Sequence, residues 1–247
     1  MPNGLFYRVA IDSQSGGWNA PCRKDGSFCY VPIPDGTRSG RGTMFDHGYD
    51  EFMPFVSSIG GSWPPALTGL CHLDPDFSQL TYGDGGSRAQ RLREFIVPGS
   101  FIVFWAGLRW LDGPAAGSIV CSIIGFYRVS HVLSAADVGI LDAHRNAHTR
   151  HAGTPNDQVV VFADPRESGR LRQHIPIGEH RDRAQRVSPE ILTAWGDLRR
   201  KNGELLKDGY IQLSGNPPIF NDPERFLKWF YRQKPQFVHA NNVTNGT

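Results

Sequence analysis

Imidazole and carboxyl side chains alternate in the segment His72-Leu73-Asp74-Pro75-Asp76. Alternate residues of an extended chain project to the same side, so His72, Asp74 and Asp76 could converge on one point. Such a group could carry out general acid–base chemistry or, as a weaker option, bind a hard or borderline metal ion. Asp-Pro is also a common turn and capping element, so a structural hydrogen-bonding role is the alternative.

A second group of histidines, His144, His148 and His151, follows the spacing i, i+4 and i+7. On a continuous helix these side chains would share one face, as in some zinc enzymes. However, Arg145 occupies the position that the H-E-x-x-H motif reserves for glutamate. We therefore expect a solvated basic face on which Arg145 and Arg150 contact phosphate, and we assign neither a metal ion nor a cofactor from the sequence.

Aromatic residues concentrate at the end of an apolar run and in a turn-rich loop near the N terminus. Flat rings at the mouth of a strand can stack on a base, and a neighbouring arginine can contact a ring or a phosphate. The alternative is that these rings belong to the core. The candidates for contacting a base are Trp18, Asn19, Phe104, Trp105 and Trp110, with Arg109 for phosphate.

Composition excludes several function classes for this chain of 247 residues. The net charge of +2 gives no electrostatic argument for nucleic acid. The four cysteines form no C-x-x-C pair, so a zinc knuckle or a redox motif is not indicated, and we expect reduced, mostly buried thiols. Neither a dinucleotide fingerprint nor a phosphate loop is present. The chain has no signal-peptide pattern and no membrane-length apolar run, so we expect a cytoplasmic protein without a membrane partner.

Two apolar runs, residues 101–105 and 119–129, organise the elements that must position these side chains. Their β-branched and aromatic residues, separated by a break at Gly113-Pro114, predict a β-hairpin. Gly125 inside the second run indicates a bulge or a close approach of another group to the backbone.

Further elements are predicted around this hairpin by periodicity and by capping patterns. The expected strands are 5–11, 28–34, 158–164 and 210–213, and the expected helices begin near Ser87, Ser134, Ser188 and Asp222. Residues 35–65 and 165–186 are expected to be irregular. No linker is evident, so we predict a single domain over residues 1–247, with C-terminal helices and a flexible tail at 238–247.

Four stretches in the first half of the chain occur together in a recognisable order. They are R-V-A-I-D-S at 8–13 with Gly16-Gly17, Y-V-P-I-P at 30–34, H-L-D-P-D at 72–76, and P-G with F-I-V-F-W-A-G-L-R at 98–109. In this order they resemble the third of the nucleotide-modification-associated domain families, which are named for their association with phage and bacterial base-modification gene systems. The resemblance implies a role in nucleobase modification.

The central hairpin is separately similar to the corresponding piece of PUA-like barrels, including the EVE and ASCH domains. The segment I-G-F-Y-R-V at 124–129 fits their pattern, whereas Ser100 stands where aspartate is usual. This similarity implies an α+β fold built on a PUA-like mixed β-barrel decorated with helices. It also implies a pocket for a modified or flipped base, with Trp18 and Asn19 as natural walls.

Three functions remain open at this point. The first is binding of a modified or flipped nucleobase, in DNA or in a nucleotide, within an aromatic-walled pocket. The second is an enzyme that transfers a group to a nucleobase or removes one, with Asp12, His72, Asp74 and Asp76 as acid–base or metal residues. The third is a non-catalytic interaction module. The oligomeric state is left unassigned.

Overall fold

The computed structural model describes residues 3–35, 46–150, 157–212 and 216–244. The strands are β1 (Gly4–Arg8), β2 (Pro21–Cys22), β3 (Ile33–Pro34), β4 (His47–Gly48), β5 (Leu70–His72), β6 (Thr81–Asp84), β7 (Phe101–Trp110), β8 (Ile119–Ser134), β9 (Val159–Ala163), β10 (Gly169–Arg181), β11 (Ala184–Val187), β12 (Leu198–Arg199), β13 (Ile219–Phe220) and β14 (Phe237–Val238). The α-helices are α1 (Met53–Ser58), α2 (Gly86–Phe95), α3 (Pro189–Trp195) and α4 (Pro223–Arg232). Short 3-10 helices cover Tyr49–Glu51, Ala135–Asp137, Ala143–Arg145 and Lys207–Gly209.

The predicted hairpin is confirmed as the antiparallel pair of β7 and β8. The register shifts between Phe104 and Trp105, beside Gly125 of the partner strand, as expected of a bulge. A side chain at Gly125 would also collide with Phe77, whose ring lies 2.3 Å from where a Cβ would stand. The glycine therefore serves both purposes that its position in the run suggested.

The main sheet is mixed and mostly antiparallel, with the order β11-β10-β8-β7-β1-β13-β12. Strands β1 and β7 run parallel, and β2 extends the parallel pairing of β7 beyond the end of β1. The long β8 continues past β7 to pair with β9, which in turn pairs with β6. A small antiparallel sheet has the order β3-β5-β4. The fold is thus α+β, and across the described strands the path from β11 to β12 does not close into a barrel.

Both faces of the central strands are covered, and this explains why β7 is apolar without alternation. Successive side chains of a strand point to opposite faces. Phe104 accordingly packs in one core, with Tyr82 and Tyr127, and Trp105 packs in the other, where α3 and α4 also contribute side chains. The four cysteines are free and buried, as predicted.

Several sequence expectations about strands were wrong. The segment expected to be irregular after residue 165 contains β10, which pairs with both β8 and β11. Its partly exposed face explains the polar composition that concealed it. The expected strand at 28–34 is reduced to β3 at its end, and Tyr210 makes only an isolated bridge with Arg186. Leu213 lies outside the described residues.

The helices were predicted with more success, although their ends differ. Helix α4 begins as expected, since Asp222 accepts a hydrogen bond of 3.0 Å from the Arg225 amide. Helix α2 begins after Gly85 and not at Ser87. Helix α3 ends at Trp195. The next residue, Gly196, caps it in the left-handed conformation that favours glycine (φ 75°).

Two further expectations are corrected at 35–65 and at Ser134. The pattern at Ser134 produces a single 3-10 turn, Ala135–Asp137, and no helix follows through the histidines. The segment 35–65, expected to be irregular, contains α1, although residues 36–45 lie outside the described part of the chain. Within the described ranges, the helices fall short of the length and apolarity that crossing a bilayer needs.

The C-terminal segment expected to be a flexible tail makes specific contacts. Strand β14 pairs with β10. Beyond it, the Asn242 side chain accepts a hydrogen bond from the Tyr30 amide (2.9 Å) and donates one to the Tyr30 carbonyl (2.7 Å). The side-chain Oδ1 atom of Asn241 accepts a hydrogen bond from the Phe77 backbone amide (2.8 Å). Residues 245–247 are not described.

Candidate active site

A cavity of about 290 Å³ opens where β1 ends, between β5 and β6. This cavity is called the β1 pocket below. The ionisable and aromatic side chains that line it are Tyr7, Arg8, Asp12, His72, Asp74, Tyr82, Asp84, Arg88 and His148. Strand ends and the loops that follow them supply most of these groups.

His72, Asp74 and His148 form a compact cluster on one wall of this pocket. The two Nε2 atoms of His72 and His148 lie 3.3 Å apart, and His148 Nε2 lies 3.6 Å from Asp74 Oδ2. One ligand atom from each of the three residues falls within 4.8 Å of the others. The cluster therefore places two imidazole nitrogens and one carboxylate oxygen around a common point, and these three residues could hold a metal ion.

Asp74 is held in place by three hydrogen bonds. The Gly83 amide donates to both carboxylate oxygens, at 2.9 and 3.1 Å, and the Asn146 side-chain amide donates to Oδ1 at 3.0 Å. The packing requires glycine at position 83, because a Cβ there would stand 2.5 Å from both the Asn146 Oδ1 atom and a ring carbon of His148. The glycine thus lets the 146–148 loop approach β6 closely enough to reach Asp74.

His148 is oriented by partners on its other side. Its ring Nδ1 lies 3.2 Å from the Gln158 Oε1 atom, which can only accept, so Nδ1 carries the proton of that hydrogen bond. Burial opposes charging of the ring, but the neighbouring Asp74 carboxylate, with Asp84 and Gln158, outweighs it and raises the pKa of His148. The Nε2 atom is therefore the one that faces His72 and Asp74.

Two arginine–aspartate pairs form the rest of the charged lining. Arg8 binds Asp12 in an ion pair, and Asp12 also accepts hydrogen bonds from the amides of Gln14 (2.8 Å) and Ser15 (2.9 Å). The second pair joins Arg88 Nε and Asp84 Oδ2 at 2.8 Å. The loop after β1 therefore wraps around the Asp12 carboxylate and fixes it at the pocket.

Buried tyrosines support the second arginine. The Tyr82 hydroxyl donates to Asp84 (2.8 Å) and accepts from Arg88 (2.8 Å), and the Arg88 guanidinium lies 5.3 Å from the centre of the Tyr7 ring. Burial raises the pKa values of Tyr7 and Tyr82 well above the ordinary value, so both rings stay neutral. They are only 1% and 2% exposed, which leaves little ring surface for stacking on a base.

The comparison with family models identifies what kind of chain this is. The model described as nucleotide modification associated domain 3 matches residues 3–206. The chain belongs to this family. The match confirms the resemblance inferred from the first half and extends it through β12, so it includes the whole His72–Asp74–His148 cluster. Searches of curated proteins and of solved structures returned no match.

In this family member the β1 pocket unites three of the four predicted catalytic residues, Asp12, His72 and Asp74. Asp76 lies elsewhere. Its carboxylate forms an ion pair with Arg150 at 2.6 Å and accepts hydrogen bonds from Ser78 and Asn241. The alternating pattern failed to bring Asp76 into the group because β5 ends at His72, so the segment is not one regular strand.

The predicted base-stacking residues do not line the β1 pocket. Phe104 and Trp105 are fully buried in the two cores, so neither ring offers a surface to a base. The Trp18 ring packs at 5.6 Å from that of Trp63, and the Trp110 ring packs at 5.2 Å from that of His174. Phe104 and Trp105 are therefore core residues, whereas Trp18 and Trp110 are half-buried and contact other rings outside the β1 pocket.

Asn19 and the three predicted phosphate-binding arginines are also engaged within the fold. Asn19 is buried and donates a hydrogen bond of 2.8 Å to the Gly107 carbonyl. Arg109 donates to the Gly117 carbonyl in the hairpin connection (2.7 Å). Arg145 donates to the Gln79 carbonyl (3.1 Å), and Arg150 pairs with Asp76. The expected common helix face for Arg145, Arg150 and the histidines does not form, and His151 lies outside the described residues.

Sequence reasoning missed three charged residues of the pocket, Arg8, Asp84 and Arg88, and the two buried tyrosines Tyr7 and Tyr82. Arg8 had a usable signal, because it stands at the end of a strand and four residues before Asp12. Asp84 and Arg88 have the same i, i+4 spacing across the start of α2. The sequence analysis grouped His148 with His144 and His151. Only the tertiary fold brings it close to His72.

Proposed function

We propose that this member of the nucleotide modification associated domain 3 family is an enzyme that alters a nucleobase, bound as a nucleotide or in DNA, in the β1 pocket. The observation that carries the proposal is the placing of the His72–Asp74–His148 cluster on the wall of a cavity that also holds Asp12. Imidazole and carboxyl groups at one cavity wall are the usual means of acid–base or metal-assisted chemistry.

The cavity volume of about 290 Å³ supports a small ligand. Pockets for small molecules start near about 300 Å³. A single base or nucleoside fits this scale, whereas a duplex does not, so a base in DNA would have to be flipped out to enter. Hydrogen-bonding groups at the pocket, including Asp12, Gln14 and Ser15, would contact the base edge.

The alternative proposal, a binding module that reads a modified base by aromatic stacking, has less support. Of the rings on which it relied, Phe104 and Trp105 are buried, and Trp18 and Trp110 are half-buried outside the lining of the β1 pocket. Recognition in the β1 pocket would have to depend on hydrogen bonds and charge instead. The likeness of the hairpin to PUA-like barrels remains a hypothesis about ancestry and is not needed for the proposed chemistry.

The test is a search for an altered nucleoside. The full chain would be incubated with deoxynucleoside monophosphates, or with oligonucleotides containing cytosine, 5-methylcytosine or 5-hydroxymethylcytosine. Divalent metal ions and a low-molecular-mass cell extract would be added, so that any required cofactor or co-substrate is present. The products would then be digested to nucleosides and analysed by mass spectrometry. We expect a nucleoside of changed mass, and its yield should fall at least about 100-fold in Asp74→Asn, a loss typical of a group used in proton transfer.

Binding is measured in parallel by fluorescence polarisation with the same oligonucleotides. Retained binding with lost product in Asp74→Asn supports an enzyme, and His131→Ala, an exposed histidine on β8, is the control that should keep full yield. Tight binding of one oligonucleotide without any change of mass, equal in the wild type and Asp74→Asn, would favour the reader and contradict the proposal.

A further inference from the structure

The spacing within the His72–Asp74–His148 cluster matches the coordination sphere of a small metal ion. Zinc binds imidazole nitrogen and carboxylate oxygen at about 2.0–2.2 Å in a tetrahedron, so two of its ligand atoms stand about 3.3–3.6 Å apart. The observed separations are 3.3 Å between the imidazole nitrogens and 3.6 Å between His148 Nε2 and Asp74 Oδ2. An octahedral ion with similar bond lengths would bring neighbouring ligand atoms to about 3.0 Å. These two separations are closer to the tetrahedral value, and the ligand atoms of all three residues lie within 4.8 Å of one another.

The supporting contacts are those that a metal site requires. A ligating histidine usually donates its other ring N–H to an oxygen, and this fixes the tautomer. His148 does so through Nδ1 and Gln158 Oε1, at 3.2 Å. Asp74 receives the hydrogen bonds of Gly83 and Asn146, so the carboxylate is also held from outside. Two of the three ligand side chains therefore have partners that orient them toward the common point.

The charge of the pocket also favours a cation. Among the described residues its lining contains three carboxylates, Asp12, Asp74 and Asp84, and two guanidinium groups, Arg8 and Arg88. Each arginine is paired with Asp12 or Asp84, whereas Asp74 faces the two imidazoles. A divalent ion at the cluster would balance the remaining carboxylate and leave the pocket with an excess of positive charge suited to a phosphate-bearing ligand.

We propose that His72, Asp74 and His148 bind one divalent first-row transition-metal ion, with Zn²⁺ the best match to the spacing. Two imidazoles and one carboxylate are a borderline donor set, which excludes Mg²⁺ and Ca²⁺ as preferred occupants. Within the described part of the chain the cluster offers three protein ligands, which would leave a fourth position for water or a ligand, the arrangement of catalytic and not of structural zinc. The inference concerns the same site as the proposed function, and the catalytic use of the metal rests on that function. Metal binding itself can be measured without any nucleotide.

The first measurement is metal content and affinity of the full chain. After treatment with a chelator and removal of the chelator, titration calorimetry with Zn²⁺ should show one site per chain, and Mg²⁺ should give no comparable signal. Substitution with Co²⁺ should produce the visible absorption of a four-coordinate ion. Failure of the wild-type chain to bind Zn²⁺ with one-to-one stoichiometry overturns the inference.

Variants locate the site. His148→Ala and Asp74→Asn should each weaken Zn²⁺ binding by more than about 100-fold, and Gln158→Ala, which removes only the outer partner of His148, by about 10-fold. Gln90→Ala on the exposed face of α2 and His131→Ala are the matched controls and should leave affinity unchanged. Gln158→Ala keeps the test informative if a ligand variant fails to fold. Equal Zn²⁺ affinity in the wild type and His148→Ala would show binding elsewhere and overturn the assignment.

The metal and the function fail in different ways. A chain that binds Zn²⁺ at the cluster but yields no altered nucleoside retains the metal site and loses the proposed enzyme. A chain that forms product at full rate after metal removal, with chelator present, retains the enzyme and loses the metal.

Discussion

Asp76 and Arg150 form an ion pair of 2.6 Å in which both side chains are almost fully buried, at 2% and 4% exposure. Asp76 also accepts hydrogen bonds from the amides of Ser78 (3.1 Å) and Gln79 (3.2 Å). The pair thus joins the H-L-D-P-D segment to the loop that carries His148. Two residues that the sequence suggested for catalysis and for phosphate binding are thus paired with each other outside the β1 pocket.

Loss of one member of this pair should destabilise the protein. Removing a partner from a buried ion pair leaves an uncompensated charge and costs about 3–5 kcal/mol. We therefore expect Arg150→Met to lower the free energy of unfolding by about this amount in urea titrations. Arg166→Ala, which removes an exposed arginine paired with Asp164, is the control and should change stability little. An Arg150→Met chain as stable as the wild type would contradict a structural role.

Gly83→Ala should damage the site more than the fold. Its Cβ would stand 2.5 Å from Asn146 Oδ1 and from His148 Cδ2, so both side chains would have to move. We expect Zn²⁺ affinity to fall by about 10-fold or more while the far-ultraviolet circular dichroism spectrum stays unchanged. In Gly139→Ala the new Cβ meets no atom within 4 Å, so that variant should bind like the wild type. Undiminished affinity in Gly83→Ala would refute the close packing described above.

The stability of the fold should decrease in mild acid because of His174. Burial, with a contribution from the charge of Arg170, lowers the pKa of His174 to about 4 from its ordinary value of 6.5. Between these values the unfolded chain binds a proton that the folded chain does not, so the free energy of unfolding falls as the pH falls. The ring also contacts the Ser122 hydroxyl at 2.9 Å and lies 3.4 Å from the Arg23 carbonyl, so in the neutral form it can accept from one and donate to the other.

This contribution is measured by comparison with a variant that cannot titrate at position 174. From pH 7.5 to pH 4.5 the wild type should lose about 2–3 kcal/mol more than His174→Asn in urea titrations at each pH. His180→Asn, at an exposed position of β10, should follow the wild type. If the free energy of unfolding depended on pH in the same way in the wild type and in His174→Asn, His174 would not be responsible for the loss of stability in acid, and the prediction would be wrong.

Residues near the C terminus should contribute measurably to stability. Asn242 pairs with both the amide and the carbonyl of Tyr30, and Tyr30 is fully buried. Each buried backbone group left without a partner costs about 1–3 kcal/mol. Asn242→Ala should therefore lower the free energy of unfolding by about 2 kcal/mol or more, whereas Asn202→Ala in an exposed turn should not. A chain truncated after residue 240 that unfolds like the wild type would show that these contacts are dispensable.

Local patterns determined a large part of this protein from the sequence alone. The β7–β8 hairpin, the role of Gly125 and the start of α4 were readable because strand periodicity, turn residues and capping depend on neighbours within a few residues. The family was recognised from the order of four sequence stretches, and the family model confirms it. Three side chains that the sequence named as chemical candidates, Asp12, His72 and Asp74, line the β1 pocket. Strand β10 was not predicted because many of its residues are polar, as suits a partly exposed face, and this composition resembles that of a loop.

Only the tertiary structure decided which candidates meet. His72 and His148 are 76 residues apart in the chain, yet their ring nitrogens approach to 3.3 Å. That approach depends on the pairing of β6 with β9, on the absence of a side chain at Gly83, and on the Asp76–Arg150 ion pair. In the same way, Phe104 and Trp105 point to opposite faces of β7, and both are buried because both faces are covered; a one-sided sheet would have exposed one of them. The sequence supplies the reactive groups, and long-range packing selects which of them share a site.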